Sequence, residues 1–188
     1  DGIPLNVSNY GDRIKGFILS MGSNATASMG VVIAHHNSNL SQVLDEVRRC
    51  EKEAKKLKDK NAFCVALAKR AGGTEYIKAK WYSDDYFETI PLLRRWADIF
   101  YNDWISPKMV YTFRTEARGL MGLGAEPIKL ELMRIADRHR DKKAKNFNKE
   151  NLADLVQGLM NLYEQGLSLD DIGKFLSLAA FLGREENR

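Results

Sequence analysis

The chain has 188 residues, 44% hydrophobic and 29% charged, which at ~150 residues per domain fits one full domain or two small ones and excludes disordered and collagen-like chains. Twenty-nine Lys and Arg against 25 Asp and Glu leave a net charge of +4, too mild to separate a nucleic-acid binder from an ordinary basic protein. The longest apolar run, Met29 to Ala34, falls far short of the ~20 residues a membrane-crossing helix requires, and no basic-then-apolar leader opens the sequence. The expectation is a soluble, cytoplasmic protein with no membrane partner. The first residue is Asp1 rather than Met, as in an excised or processed piece.

Thr26 to Ala34 is uncharged and rich in small and β-branched residues, the composition of a strand buried on both faces, and it predicts a central strand. After the polar stretch His35 to Asn39, apolar residues recur at Leu40, Val43, Leu44, Val47, Cys50, Ala54 and Leu57. That 3.6-residue stripe predicts an amphipathic helix, with Glu46, Arg48, Arg49, Glu51, Lys52, Glu53, Lys55 and Lys56 on its solvated face. Asn61 to Lys69 returns to strand composition with both faces buried. Arg70-Ala71-Gly72-Gly73 then turns the chain into Thr74 to Trp81, where Tyr76, Lys78 and Lys80 share one face, giving a β-hairpin whose second arm is a sheet edge or has one solvated face.

From Thr89 onward every periodic segment is helical, which places a domain boundary near residue 84. Helices are predicted over 89 to 104, 107 to 122 and 127 to 142. Asn148 caps another that runs through Gln165 and closes at Gly166, and Ser168-Leu169-Asp170-Asp171 reads as a capping box opening the last. The fold class is therefore α+β: a partial palm of ferredoxin-like, nucleotidyl cyclase-like type over 1–84, with an antiparallel sheet and a helix, followed by an all-α bundle over 85–188.

Few residues announce chemistry. Cys50 and Cys64 lack metal-ligand spacing and read as buried thiols. His35 and His36 are adjacent, so on a strand they would point to opposite faces and could not share an ion. Asp84-Asp85 reads as a solvated linker pair, Asp170-Asp171 as acids favoured at a helix start, and Gly72-Gly73-Thr74-Glu75 as a hairpin turn with one carboxylate where two-metal chemistry wants more. No catalytic residue and no metal ligand is assigned within the chain.

One ordered combination is more specific. Thr26-x-Ser28-x-Gly30 on a strand, a helix ending in Ala54-Lys55, and a step through Lys58-Asp59-Lys60-Asn61 into the next strand resemble the rear half of the nucleotidyl cyclase and polymerase palm. There the step is Gly-Arg-Asn; here it is one residue longer and lacks the glycine. Ala27 to His36, then Ala54-Lys55 with Lys60-Asn61-Ala62-Phe63, then Lys69 to Thr74, and a helical tail ending Phe175 to Gly183, are similar to the large subunit of type III CRISPR effector complexes, closest to its Cmr-type (III-B) form. The likeness covers residues 25 to 82 and the layout of the helical remainder.

In that family the second palm carries a Gly-Gly-Asp-Asp turn that holds two metals and makes cyclic oligoadenylate from ATP when target RNA is bound. The turn is missing from this sequence. The resemblance thus implies the end of the second palm plus the C-terminal helical domain, catalytically incomplete alone. Its cofactor would be ATP with a divalent metal held by residues outside the chain, and its partners the small helical subunit, the other effector subunits, crRNA and target RNA. It also implies nucleotide-binding roles: Ser28 offers a hydroxyl, Gly30 leaves room, and Lys55 and Lys60 pair with triphosphate oxygens as point charges, against the structural readings of Gly30 as a close-packing residue, Ser28 as a backbone-bonded strand residue and Lys55 as a solvated helix lysine. Arg134, Arg138, Arg140, Lys142 and Lys143 are expected either near RNA or as a solvated basic surface. The alternative is a stand-alone α+β adaptor whose helices dock a protein and whose sheet never meets nucleotide; a diguanylate-type cyclase is disfavoured because the acidic signature turn is absent.

Overall fold

A computed structural model describes residues 26–69, 73–82, 89–144 and 147–185. Asp84, Asp85, Gly72 and the expected boundary near residue 84 lie outside the described residues, as do residues 1–25. The elements in chain order are β1 (Met29–Ile33), α1 (Leu40–Lys55), β2 (Ala62–Ala68), β3 (Thr74–Lys80), α2 (Thr89–Tyr101) and α3 (Lys108–Glu116). After α3 come a 3₁₀ turn (Ala117–Leu120), α4 (Ala125–Arg138), α5 (Lys149–Glu164) and α6 (Leu169–Glu185). The α+β class holds: strands come first, helices follow.

The sheet is mixed, in the order β1-β2-β3. β2 and β3 form the expected antiparallel hairpin, with Ala62 opposite Lys80 and Ala68 opposite Thr74. β1 runs parallel to β2, Met29 opposite Phe63 and Ile33 opposite Leu67, which corrects the expectation of an antiparallel sheet. The 16-residue α1 is the cause, because a helical crossover returns the chain to the same end of the sheet before the next strand begins. The middle strand is β2, and among the described residues β1 is an edge, so the central-strand reading of Thr26 to Ala34 is also corrected. Met29 is exposed and Gly30 to Ile33 are half-buried.

Period-two alternation divides the sheet cleanly. On one face Cys64 and Ala66 join Cys50 and Ala54 of α1 in a small cluster, with Val32 and Tyr76 packed against it. On the other, Phe63, Val65, Ile77 and Ala79 enter the main core with Trp96, Phe113, Leu132, Leu159 and Phe175 from the helical half. The sheet is therefore sandwiched between α1 and the bundle, and one continuous apolar core unites residues from both sides of position 84. Cys50 and Cys64 are free thiols, both fully buried.

Caps match the sequence signals. Asn39 Oδ1 accepts from Ser41 N at 2.9 Å to start α1. Asn148 and Asn151 form a reciprocal box at α5, and Ser168 Oγ accepts from Asp171 N at 3.1 Å ahead of α6, each satisfying donors a helix start leaves open. The stripe of α1 is longer than the sheet it covers: Leu40 and Leu44 are exposed, and only Cys50 and Ala54 are fully enclosed.

Candidate functional site

The site predicted from sequence is built where β1 begins and α1 ends. Gly30 locates the contact: a Cβ there would lie 2.5 Å from the Glu51 amide nitrogen and 2.6 Å from the Val47 carbonyl oxygen. No side chain fits, and the space that glycine leaves is filled by the helix backbone. The two elements run in opposite directions, since the row Gly30–Cys64–Lys78 faces Glu53, bonded to Lys78 at 3.0 Å, while the row Val32–Ala66–Tyr76 faces Glu46, which accepts from the Tyr76 hydroxyl.

One row further back the same register sets Ser28 level with Ala62, whose partner is Lys80. Two residues of strand cover about 6.6 Å and four of helix about 6 Å, so this row stands beside Ala54 and Lys55. The fold thus brings Ser28 and Lys55 to one end of the β1–α1 unit. Ser28 Oγ is buried there without a hydrogen-bond partner among the described residues, an omission that ordinarily costs about 1–3 kcal/mol.

The turn from α1 to β2 completes this end. Asp59, Lys60 and Asn61 have φ of 60°, 57° and 46°, three successive non-glycine residues in the left-handed region, each carrying roughly 1–2 kcal/mol of steric cost. The lengthened step that replaces the family's glycine adopts this path, held by Lys60 N to Leu57 O at 2.9 Å and Trp81 N to Asn61 O at 3.2 Å. Asp59 faces Lys80 at 3.6 Å. Lys60 is exposed and has no ion pair among the described residues, whereas Lys55 Nζ sits 2.5 Å from Glu51 Oε1 and holds that carboxyl below its usual range. Lys55, Lys60 and Lys80 therefore lie around this end with Glu51 and Asp59, and Lys56, paired with Glu53, and Lys58 belong to the same helix end and turn.

Lys80 is the member that sequence reasoning missed. Alternation placed Tyr76, Lys78 and Lys80 on one face, which is correct, but that face lies under the flank of α1 rather than in water. Glu46 and Glu53, expected on a solvated surface, are its partners. Hydrogen bonds from Lys56 and Lys78 hold Glu53 down to about 2. Burial and the neighbouring Glu46 push the Tyr76 hydroxyl up to about 12, and Arg49 stacks over its ring at 4.7 Å.

The remaining candidates sort on geometry. His35 and His36 lie beyond the end of β1 with ring centroids 4.2 Å apart, so the opposite-faces expectation fails because the strand has already turned. Among the described residues no group of three or more His, Cys, Asp or Glu gathers to hold a metal. Burial pushes the Cys64 thiol up to about 12, the reverse of what a reactive cysteine needs. Of the five basic residues expected near RNA, Arg134 is tied to Glu131 at 2.6 Å and Glu116 at 2.8 Å, and Arg140 to Asp137 at 2.9 Å. Arg138, Lys142 and Lys143 have no such partner among the described residues.

Residues 9–64 match the family model for Cas10/Cmr2, second palm domain. No match to a curated protein accompanies it. The matched segment takes in β1, α1, the left-handed turn and the first residues of β2, and so all four residues assigned by resemblance: Ser28, Gly30, Lys55 and Lys60. It supports kinship of this segment with the Cas10-type large subunit. The helical half lies outside the match. No helix among the described residues is long and apolar enough to cross a membrane.

Proposed function

We propose that the chain is the closing part of the second palm, with the helical domain that follows it, of the large subunit of a Cmr-type type III CRISPR effector complex. In this reading the end of the β1–α1 unit receives ATP. Lys55 and Lys60 neutralise triphosphate oxygens, the Ser28 hydroxyl donates to one of them, and Lys80 adds a third cation from the neighbouring strand. Gly30 acts one step removed, letting α1 approach closely enough to set Lys55 beside Ser28. The acidic turn that would hold two metals and activate the attacking hydroxyl belongs outside this sequence, so the chain positions substrate and does not perform the transfer by itself. The helical half docks the small helical subunit, alongside crRNA and target RNA.

The observation that carries the reading is that the segment matching the palm model includes a buried hydroxyl, Ser28 Oγ, with no partner among the described residues, at the end of the β1–α1 unit where the lysines gather. Its test is purification of the tagged polypeptide that bears this chain from its native host, followed by protein identification and sequencing of bound RNA. Short guide RNAs sharing a repeat-derived end, with helical partner subunits, are the expected result. A polypeptide recovered without RNA, bound instead to unrelated proteins, would establish the adaptor.

A further inference from the structure

The small cluster between α1 and the sheet holds both of the chain's cysteines, and the nucleotide reading uses neither. Cys50 on α1 and Cys64 on β2 are free thiols, fully buried with Ala54 and Ala66, while Val32 and Tyr76 pack at the margin. Gly30 lets the two meet. A Cβ at position 30 would lie 3.0 Å from Cys50 Cβ. Gly30 is also the register partner of Cys64, whose own Cβ stands one strand spacing, about 4.8 Å, away on the same face. The glycine puts no side chain between the thiols, and a hydrogen bond joins them. Burial raises both from their ordinary range, so neither exchanges while α1 is seated. The helix is lightly held, however: of its 16 residues only Cys50 and Ala54 are buried, and Leu40 and Leu44 are exposed. An element with so few buried contacts opens locally at less cost than the whole fold.

We propose that Cys50 and Cys64 form one internal disulfide when the protein meets a small organic disulfide such as oxidised glutathione, and that this bond fastens α1 to β2. On local opening, one cysteine thiolate attacks a sulfur of the oxidant and releases a first glutathione thiolate. The other cysteine then attacks the protein sulfur of the mixed disulfide and releases the second. The two cysteine protons end on the two glutathione thiols; the cysteine pair loses two electrons and the oxidant gains them. The fold selects the internal bond. Closing it adds no atoms to the cluster, whereas a glutathione left on either sulfur cannot be enclosed between Ala54, Ala66 and the helix backbone. The bond closes a loop of about 15 residues, which restricts the unfolded chain and so stabilises the oxidised fold. The inference needs no nucleotide and stands apart from the palm reading.

The test is to expose the 188-residue chain to excess oxidised glutathione without denaturant, trap the remaining thiols with N-ethylmaleimide in denaturant, and measure intact mass and the urea midpoint. The expected product is a monomer lighter by two hydrogens that takes up no maleimide. Its peptides containing Cys50 and Cys64 should stay joined until dithiothreitol parts them. The urea midpoint should lie above that of the reduced chain, and dithiothreitol should return it. Cys50→Ala and Cys64→Ala should each keep one thiol that takes up maleimide, carry no glutathione, and show no shift in midpoint on treatment with the oxidant. Four results would overturn the proposal: both thiols still reactive after a treatment that oxidises the same chain in urea, glutathione carried on either cysteine, disulfide-linked dimers, or an oxidised monomer less stable than the reduced one.

Discussion

Gly30 shows how a single residue sets the geometry on which the candidate site depends. Backbone atoms of α1 already occupy the position a methyl group would take, and backbone cannot rotate aside as a side chain can. Gly30→Ala should therefore push α1 from the sheet and destabilise the protein by about 1–3 kcal/mol, read as a lowered denaturation midpoint in urea. A variant as stable as the parent would show that the helix stands further off than described. The sequence displayed the glycine and the serine two places before it, but not their different surroundings. Strand alternation puts both on one face, and only the depth of the helix over that face shows Gly30 closed by backbone and the Ser28 hydroxyl buried without a partner among the described residues. Likewise the three left-handed residues at Asp59, Lys60 and Asn61 were legible only as a missing glycine, because a non-glycine left-handed turn is chosen by the contacts around it rather than by local preference.

Between elements, the ion pairs do more than the charge count foretold. Glu75 on β3 joins Arg114 of α3 and Lys69 at the end of β2, fastening the sheet to the bundle. Burial raises its carboxyl, and the two cations outweigh that effect, so it ends below the usual value of 4.5. A depressed carboxyl contributes stability that is complete above its unfolded value and is lost as pH falls through the folded one. Glu75→Gln should thus cost about 1 kcal/mol, the scale of a partly exposed pair, at pH 7, and the gap to the parent should close once pH drops well below 4.5. Denaturant titrations at several pH values measure this; a gap of equal size at pH 3 would show that shape, not charge, is at work. The helices and their caps could be read directly, since Asn39, Asn148 and Ser168 act on donors within three residues. The parallel placement of β1 could not, because strand composition carries no direction, and the partners of Glu46 and Glu53 lie on a strand more than twenty residues away.

At the scale of the whole molecule, the sheet is a shared wall. One face is closed by α1 and the other by the bundle, through a core that runs from Phe63 to Phe175 without a break. That arrangement joins the helical half to the segment that matches the palm model through one shared core. The alternation of β2 foretold burial on both faces; the identity of the second cover did not follow, since the residues that supply it begin beyond position 88. The most direct measurement of the central idea is ATP binding by the full-length large subunit in its assembled, target-bound complex, with Ser28→Ala and Lys55→Ala compared against parent. Losing one charge-assisted hydrogen bond should weaken binding about ten-fold or more in each, and cyclic oligoadenylate output at limiting ATP should fall in step. Unchanged ATP affinity in both variants, with the complex intact, would contradict the account.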